Sequence, residues 1–528
     1  MAALPAAAGQ IVVSTPSFAL VLDAPVGGEL RYLYYGTGLS EDDLRQMNVV
    51  GTCHHVAYPS YGIGWPGESA LRVRHADGVI ATRLYVQDVE VRQEPDAMLT
   101  LVKLKDCVYP FYVNLCYKAY RDVDVIETWA EFSHSEKTPV TLLQFASSYL
   151  PLRRGDVWLS SLYGGWGNEA RLLQEPLKPG IRLIKNIDGV RNSHTAHAEV
   201  MFSLDGKPQE NTGRTIGAAL CYTGDYRLKI NTDDGDYHHF FAGMDEEGAS
   251  FRLKKGEVFR TPPLALTYSE EGLGGASRNF HKWGRKHKLA NGDKPRKILL
   301  NSWEGVYFDI NQKDMEQMMA DIALMGGELF VMDDGWFGDK HPRDIDNAGL
   351  GDWVVNPKKL PDGIAGLLRD AAKHNIGFGI WIEPEMINTR SELYEKHPDW
   401  VMKVPGQDFI TARGGTQAVL DLTNPQVRDF IFYTVDALLA RYPEIEYIKW
   451  DANMPVLNHG SVHLDKDEQS HLSILYHQGF EDVCRRIRRK YPDVTIQACA
   501  SGGGRVNYGY LPYFDEFWTS DNTDALQR

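Results

Sequence analysis

Cysteine is scarce and scattered: Cys53, Cys107, Cys116, Cys221, Cys484 and Cys499 are all that 528 residues contain. With no C-x-x-C pair and no Cys/His cluster at zinc spacing, the sequence excludes a disulfide scaffold and a structural zinc site. It also lacks a G-x-G-x-x-G turn, an H-E-x-x-H helix and an EF-hand carboxylate loop, so no cofactor and no metal is expected. No apolar run reaches the roughly 18 residues of a membrane span, and no amphipathic basic stretch offers a membrane surface. Positive charge is in deficit, with 56 Lys and Arg against 71 Asp and Glu and a net charge of −15. That balance, spread along the chain, argues against nucleic acid as a partner. The start, Met1-Ala2-Ala3-Leu4-Pro5, has neither the basic nor the apolar region of an intact signal peptide, and the compartment stays open.

What the chain has is bulk and aromatic surface. Hydrophobic residues make up 43%, enough for large cores, and a chain of 528 residues predicts two or three domains. Aromatics reach 11%, with 12 Trp and 26 Tyr, a supply that suits both β-domain cores and the flat faces of sugar-binding clefts.

From Gln10 to about Leu266 the pattern is short strand-like runs: Ile11–Ser14, Phe18–Leu22, Leu30–Tyr35, Leu99–Leu104 and Val123–Trp129. Turn signals such as Asp205-Gly206 and Asp234-Gly235 divide them, as in antiparallel sheets joined by hairpins. Alternation from Val123 to Phe132 predicts one buried and one exposed face. Gly272–Arg296 changes character, with a basic, helix-compatible run at Ser277–Lys286 and a turn at Asn291–Pro295. Beyond Lys297 the rhythm is strand then helix. Strands are predicted at Ile298–Trp303, Leu329–Asp334, Gly377–Ile382, Tyr447–Asp451, Val494–Cys499 and Glu516–Ser520, with helices at Asp314–Met325, Gly363–His374, Asn424–Arg441 and Glu468–Tyr491. This is the spacing of parallel strands with crossover helices.

Polar residues gather where those strands end: Trp303 and Glu304, Asp333 and Asp334, Glu383 and Glu385, Asp451, Ser501, Asp521. A (β/α)8 barrel concentrates its reactive groups at that rim. Six strands precede Arg528, so the barrel reads as truncated after its sixth strand. The expected division is a β-sandwich over 1–271, a linking helix and turn over 272–296, and the barrel over 297–528. Carboxylates dominate the rim: Asp333, Asp334, Asp352, Glu383, Glu385, Asp451, Asp521 and Asp524. A lone aspartate after a strand is ordinarily a helix N-cap. A set of them interleaved with Trp303, Trp336, Trp381 and Trp518 fits glycoside hydrolysis, which needs two carboxyl groups and no metal. Buried indole N–H groups need partners, which favours half-exposed tryptophans at the rim.

Five motifs in order carry a resemblance: Asp333-Asp334-Gly335-Trp336-Phe337-Gly338, Trp381-Ile382-Glu383-Pro384-Glu385-Met386, Lys449-Trp450-Asp451-Ala452-Asn453, Ser501-Gly502-Gly503-Gly504-Arg505 and Trp518-Thr519-Ser520-Asp521-Asn522-Thr523-Asp524. From about Asn301 to Arg528 the chain resembles the family 36 glycoside hydrolases, chiefly α-galactosidases. The first half is similar to that family's N-terminal β-supersandwich, with a looser likeness at Tyr58-Pro59-Ser60-Tyr61-Gly62.

The resemblance implies a retaining, exo-acting α-galactosidase that works by double displacement. Asp451 would be the nucleophile and Asp521 the acid/base. Asp333 and Asp334 would accept from the galactose O4 and O6 hydroxyls, Trp303 and Trp381 would wall the pocket, and Asn453, Cys499 and Gly502 would line it near the nucleophile and O2. Lys449 projects on the same strand face as Asp451 and is suited to bond a sugar hydroxyl and keep the nucleophile ionised. The implied partner is an α-galactoside oligosaccharide or glycoconjugate, and the implied assembly a homo-oligomer, tetrameric in the family. The segment Tyr61–Glu68 lacks the acidic-aromatic-basic ending that serves intersubunit contact there. Two positions depart from the pattern. Met454 stands where KWDMNR has arginine, and Gly414-Gly415-Thr416 replaces an arginine before Val419-Leu420-Asp421, with Arg413 shifted. A lost arginine near O2 would open room for a larger C2 substituent, so an α-N-acetylgalactosaminidase is an alternative. Transglycosylation and a catalytically silent sugar-binding barrel are two others.

Overall fold

The computed structural model describes residues 9–47, 55–152 and 154–527, so Cys53 lies outside the described residues. Strands from Gln10–Ser14 to Leu264–Ser269 are antiparallel to their partners. The largest sheet has ten strands and includes Ala97–Asp106, Phe111–Tyr120 and Ile126–His134 as successive neighbours. Facing it is a four-stranded sheet containing Tyr226–Thr232 and His238–Met244. Phe202 of the first meets Phe240 of the second edge-on with ring centroids 5.0 Å apart, inside one apolar core that runs from Val13 to Tyr268 and takes in Ile474. Both predicted turns are hairpins: Ala196–Ser203 pairs with Thr215–Leu220, and Tyr226–Thr232 with His238–Met244.

Two expectations change here. The strand predicted from Val123 begins at Ile126, and Ile126–Ala130 is buried throughout rather than on alternate residues. The reason is the segment expected as a linker. Its helix Gly272–Trp283, continued by a π-helical turn at Gly284–Lys288, lies on the outer face of that sheet. Phe280 and Trp283 are buried with Tyr120, Ala219 and Ala265, and Lys288 pairs with Glu127. Gly217 permits the approach, since a Cβ there would sit 2.7 Å from the Phe280 ring.

The second half holds six parallel strands hydrogen-bonded in sequence order: Leu299–Asn301, Leu329–Met332, Gly377–Ile382, Ile445–Trp450, Thr495–Ala498 and Glu516–Phe517. All six lie where the sequence predicts them, as do helices Gln312–Leu324, Gly363–Lys373, Pro425–Arg441 and Leu472–Lys490. Helix starts follow local chemistry: Asn424 accepts from the Gln426 N–H and Pro425 occupies the first turn. A short antiparallel pair, Met386–Asn388 with Gln417–Val419, was not predicted. The described residues do not form the closed eight-stranded barrel. Leu299–Asn301 and Glu516–Phe517 each pair on one side only, so the sheet is open between them.

Candidate functional site

The fourth strand delivers Lys449 and Asp451 to the carboxyl edge, and both are buried. Asp451 is held by donors. Its Oδ2 accepts from Trp381 Nε1 at 3.1 Å and its Oδ1 from the Ala452 backbone N–H at 2.8 Å. The Ser501 N–H adds a longer contact to Oδ1. Burial alone would push this carboxyl up; the Lys449 ammonium and the donors from Asn453, Trp381 and Ala452 overcome it and hold Asp451 below the usual range. Lys449 is in turn bonded to Asp333 Oδ2 at 2.8 Å and lies 5.0 Å from the centre of the Trp518 ring. Burial works against its charge, but Asp333 and further acceptors hold its pKa well above the ordinary value.

Asp521 follows the sixth strand in the opposite environment. It is half-buried, and burial and the Asp451 charge raise its pKa, while indole donors from Trp166 and Trp518 pull the other way. Those bonds are 2.9 Å to Oδ2 and 3.0 Å to Oδ1. Gly502, at φ +82°, brings the two loops together: a Cβ there would stand 2.7 Å from the Asp521 backbone nitrogen. Positive φ and close approach both require glycine at this point.

The remaining predicted residues fall around this pair. Asp333 accepts from Asn301 at 2.6 Å as well as from Lys449. Asp334 is bound in two-pronged fashion by the fully buried Arg343, at 2.9 and 2.7 Å. Asn301 also accepts from the Trp303 N–H, and the Trp303 ring is half-buried at the mouth. Asn453 Oδ1 accepts from the Ser501 hydroxyl at 2.8 Å. Cys499 is buried, and burial together with the Asp451 charge pushes its thiol well above the usual range, so it is a wall and not a nucleophile.

Several readings of the rim change. Asp352 accepts from the N–H groups of Glu392 and Leu393 at the start of a short helix, and Asp524 caps an exposed turn, so both are caps. Glu385 is enclosed by Arg505, Trp450 and Tyr476. Trp336 and Trp381 are 1% exposed, not half-exposed; Trp336 finds its acceptor in the Trp381 carbonyl at 3.0 Å. Met454 is fully buried in the apolar core of the parallel-sheet half. Glu383 is buried beside Asp451, and burial and that charge push it up to about 8.

The sequence reading missed the part played by the antiparallel half. The hairpin between Trp158–Tyr163 and Arg171–Pro176 carries Trp166 onto Asp521 and Glu169 onto Ser520, at 2.9 and 2.6 Å. Segment 188–194 docks beside it, with the His194 ring 2.8 Å from the Ser501 carbonyl. The signal available was local and weak: a Gly-Gly-Trp-Gly turn that leaves Trp166 69% exposed. A cavity of about 840 Å³ lies away from these carboxylates, where helix Gly272–Trp283, Glu199 of the antiparallel sheet and Tyr508 meet. Among the described residues no cluster of His, Cys, Asp and Glu is suited to a metal ion, and no helix is long and apolar enough to cross a membrane.

Comparison with known families matches two descriptions, the glycosyl hydrolase family 36 N-terminal domain over residues 28–254 and Melibiase over residues 258–528. The chain belongs to glycoside hydrolase family 36. Its family 36 relatives include a probable alpha-galactosidase C of Aspergillus flavus, 35% identical over 496 residues, covering 89% of this chain and 64% of that protein. Alpha-galactosidase AgaA of Geobacillus stearothermophilus is 35% identical over 441 residues, covering 83% of this chain and 59% of its own length. The chain therefore spans less than two thirds of these curated relatives. The crystal structure of that AgaA superposes with a TM-score of 0.92 at 30% identity, covering 98% of this chain and 76% of the other. A sandwich domain followed by a parallel-sheet catalytic domain is thus the family 36 arrangement in this chain.

Proposed function

We propose that the protein is a retaining, exo-acting α-galactosidase in which Asp451 attacks the anomeric carbon and Asp521 protonates the leaving oxygen and then activates water. The observation that carries this is the split between two neighbouring carboxyls. One is kept ionised by Lys449 and a ring of donors, and the other is raised by burial and by its neighbour's charge. Retaining hydrolysis needs one carboxylate nucleophile and one carboxylic acid, roughly 5 Å apart. Asp333, with Lys449 and Asn301, forms a polar corner suited to O4 and O6 of galactose, and Asp334 is oriented by Arg343 to complete it. An axial O4 bonded there separates galactose from glucose, whose equatorial hydroxyl points away from this corner and forgoes the bond. Trp303, Trp381, Asn453, Cys499 and Gly502 complete the pocket wall.

The substrate class under this reading is α-galactoside oligosaccharides. Relatives support it: variants of the G. stearothermophilus enzyme are described in complex with stachyose and with raffinose. The finer architecture belongs to the same proposal: the six strands are those of a (β/α)8 barrel over 297–528, preceded by a sandwich over 1–271 and a helical link over 272–296. Trapping with a 2-fluoro galactosyl inactivator followed by peptide mass spectrometry tests the mechanism. The label is expected on Asp451, and a label elsewhere refutes the assignment. Parallel assays on p-nitrophenyl α-galactoside and the matching α-N-acetylgalactosaminide distinguish the donor sugars.

A further inference from the structure

Glu383 and Asp451 follow neighbouring parallel strands, and the ends of those strands are laced together. The Asp451 N–H donates to the Ile382 carbonyl at 2.8 Å, and two residues further on the Asn453 N–H donates to Glu383 Oε1. Asn453 is itself engaged with the nucleophile. Its side chain bonds Asp451, and its Oδ1 takes the Ser501 N–H at 3.1 Å and the Ser501 hydroxyl at 2.8 Å. Glu383 is therefore one hydrogen bond away from the residue that holds Asp451.

The second partner of Glu383 is Gln417, whose Nε2 donates to the same Oε1 at 3.1 Å. Both side chains are fully buried. Gln417 opens the short strand that pairs with Met386–Asn388, and its backbone is fixed on the other side by bonds of 3.0 and 3.1 Å with Ala412. Each of the two side chains has one oxygen left over. Glu383 Oε2 and Gln417 Oε1 are enclosed and take no hydrogen bond from any described residue. A carboxylate oxygen and an amide oxygen can only accept, and a buried acceptor without a donor is costly. Turning the amide over does not help, because the Gln417 oxygen would then face Glu383 Oε1 with two acceptors in contact. One proton on Glu383 resolves the conflict: its O–H supplies the donor that Gln417 lacks, as when a carboxylic acid and an amide meet edge to edge.

The surroundings favour the uncharged form as well. Burial and the Asp451 charge raise Glu383, against the opposing pull of Arg413, the Asn453 N–H and Arg343, and Arg191 also acts with it. A second negative charge at this place would raise the nucleophile's own pKa and press the two carboxylates apart. We propose, on the α-galactosidase reading, that Glu383 is a carboxylic acid sharing its proton with Gln417, and that it is the positioning residue that fixes Asn453 and, through it, the Asp451 carboxylate for attack. The unpredicted strand that begins at Gln417 thereby acquires a role in the chemistry without touching the sugar.

Two measurements on the full chain test this. The infrared difference spectrum between wild type and Glu383→Gln at neutral pH should show the C=O band of a protonated carboxyl, lost as the pH is raised through about 8; a carboxylate signal at neutral pH overturns the shared proton. Kinetics on p-nitrophenyl α-galactoside should show kcat of Glu383→Leu lowered about 10- to 100-fold with KM within about 3-fold, the cost of a misplaced nucleophile in an intact pocket. Glu383→Gln, which keeps an acceptor for Asn453 and an N–H for Gln417, should restore kcat to within about 5-fold of wild type. An unchanged kcat in Glu383→Leu, a loss confined to KM, or a Glu383→Gln as slow as Glu383→Leu overturns the positioning role. Thermal melting identifies a variant that has merely unfolded, and Gln417→Leu, which spares the Asn453 bond, then takes the place of Glu383→Leu with the same pattern expected. Should the folded wild type hydrolyse no α-galactoside, the activity reading fails by itself, and the infrared band still decides whether Glu383 holds the proton.

Discussion

The Arg505–Glu385 pair is the strongest test of how this molecule is held together. Both side chains are almost fully buried, at 1% and 0% exposure, and are joined by two bonds of 2.8 and 3.1 Å. Arg505 also donates to the Val190 carbonyl of the antiparallel half and lies over the rings of Phe480 and Tyr510. Glu385 accepts in addition from Trp450 Nε1 and the Tyr476 hydroxyl, each at 2.9 Å. Replacing Arg505 by Met leaves a buried carboxylate with two neutral donors and an unpaired carbonyl. Two lost charge-assisted bonds at roughly 1.5–3 kcal/mol each, and the usual penalty for breaking a buried pair, agree on about 3–5 kcal/mol of destabilisation. Glu385→Gln alone should cost a similar amount by orphaning Arg505. The double variant Arg505→Met/Glu385→Gln removes both charges, keeps an acceptor oxygen for Trp450 Nε1, and offers an amide N–H that the Tyr476 hydroxyl can accept. It should lie within about 2 kcal/mol of wild type, since replacing a whole buried pair is far cheaper than breaking one. Urea unfolding followed by tryptophan fluorescence reads these differences as shifts in midpoint. Additive single effects, or a single variant within about 1 kcal/mol of wild type, would refute the reasoning.

Trp166→Phe removes a donor that lowers the Asp521 pKa, so the basic limb of the kcat/KM profile should move to higher pH; a downward move contradicts the acid role. Lys449→Met removes the charge that lowers Asp451, so the acidic limb should also move upward, with a fall in kcat at neutral pH. Glu383, raised from 4.5 to about 8, binds a proton in the folded state that the unfolded chain has released. Stability therefore falls as pH rises from about 4.5 to about 8 and levels off above. Glu383→Gln should flatten that slope in a series of melting curves, and an unchanged slope would show that Glu383 is ionised throughout.

The parallel half was legible because its inner strands are buried on both faces and read as short apolar runs, several of them ending in acids. Lys449 and Asp451 share a strand face by simple alternation, and the fold keeps them together. Sequence did not separate Glu383 from Glu385, two residues apart: the second is paired with Arg505, 120 residues away, and no local pattern reports such a partner. Trp166, which lies 355 residues before the acid it touches, was hidden for the same reason, whereas Arg343 is only nine residues from Asp334 and reaches it through an irregular loop that carries no period. The two tryptophans placed at the rim went inward because the Asp451 carboxylate and a backbone carbonyl supplied the acceptors that water was expected to give.

The hairpin that sets Trp166 and Glu169 against the Asp521 loop has a consequence for order of events. Asp451, the proposed nucleophile, is held by donors from one half of the molecule, whereas the loop of Asp521, the proposed proton donor, is positioned by both. Mild denaturant that loosens the seam between the halves should silence turnover while the helical circular dichroism is still intact. During synthesis, the half that supplies Trp166 emerges before the Asp521 loop that it contacts.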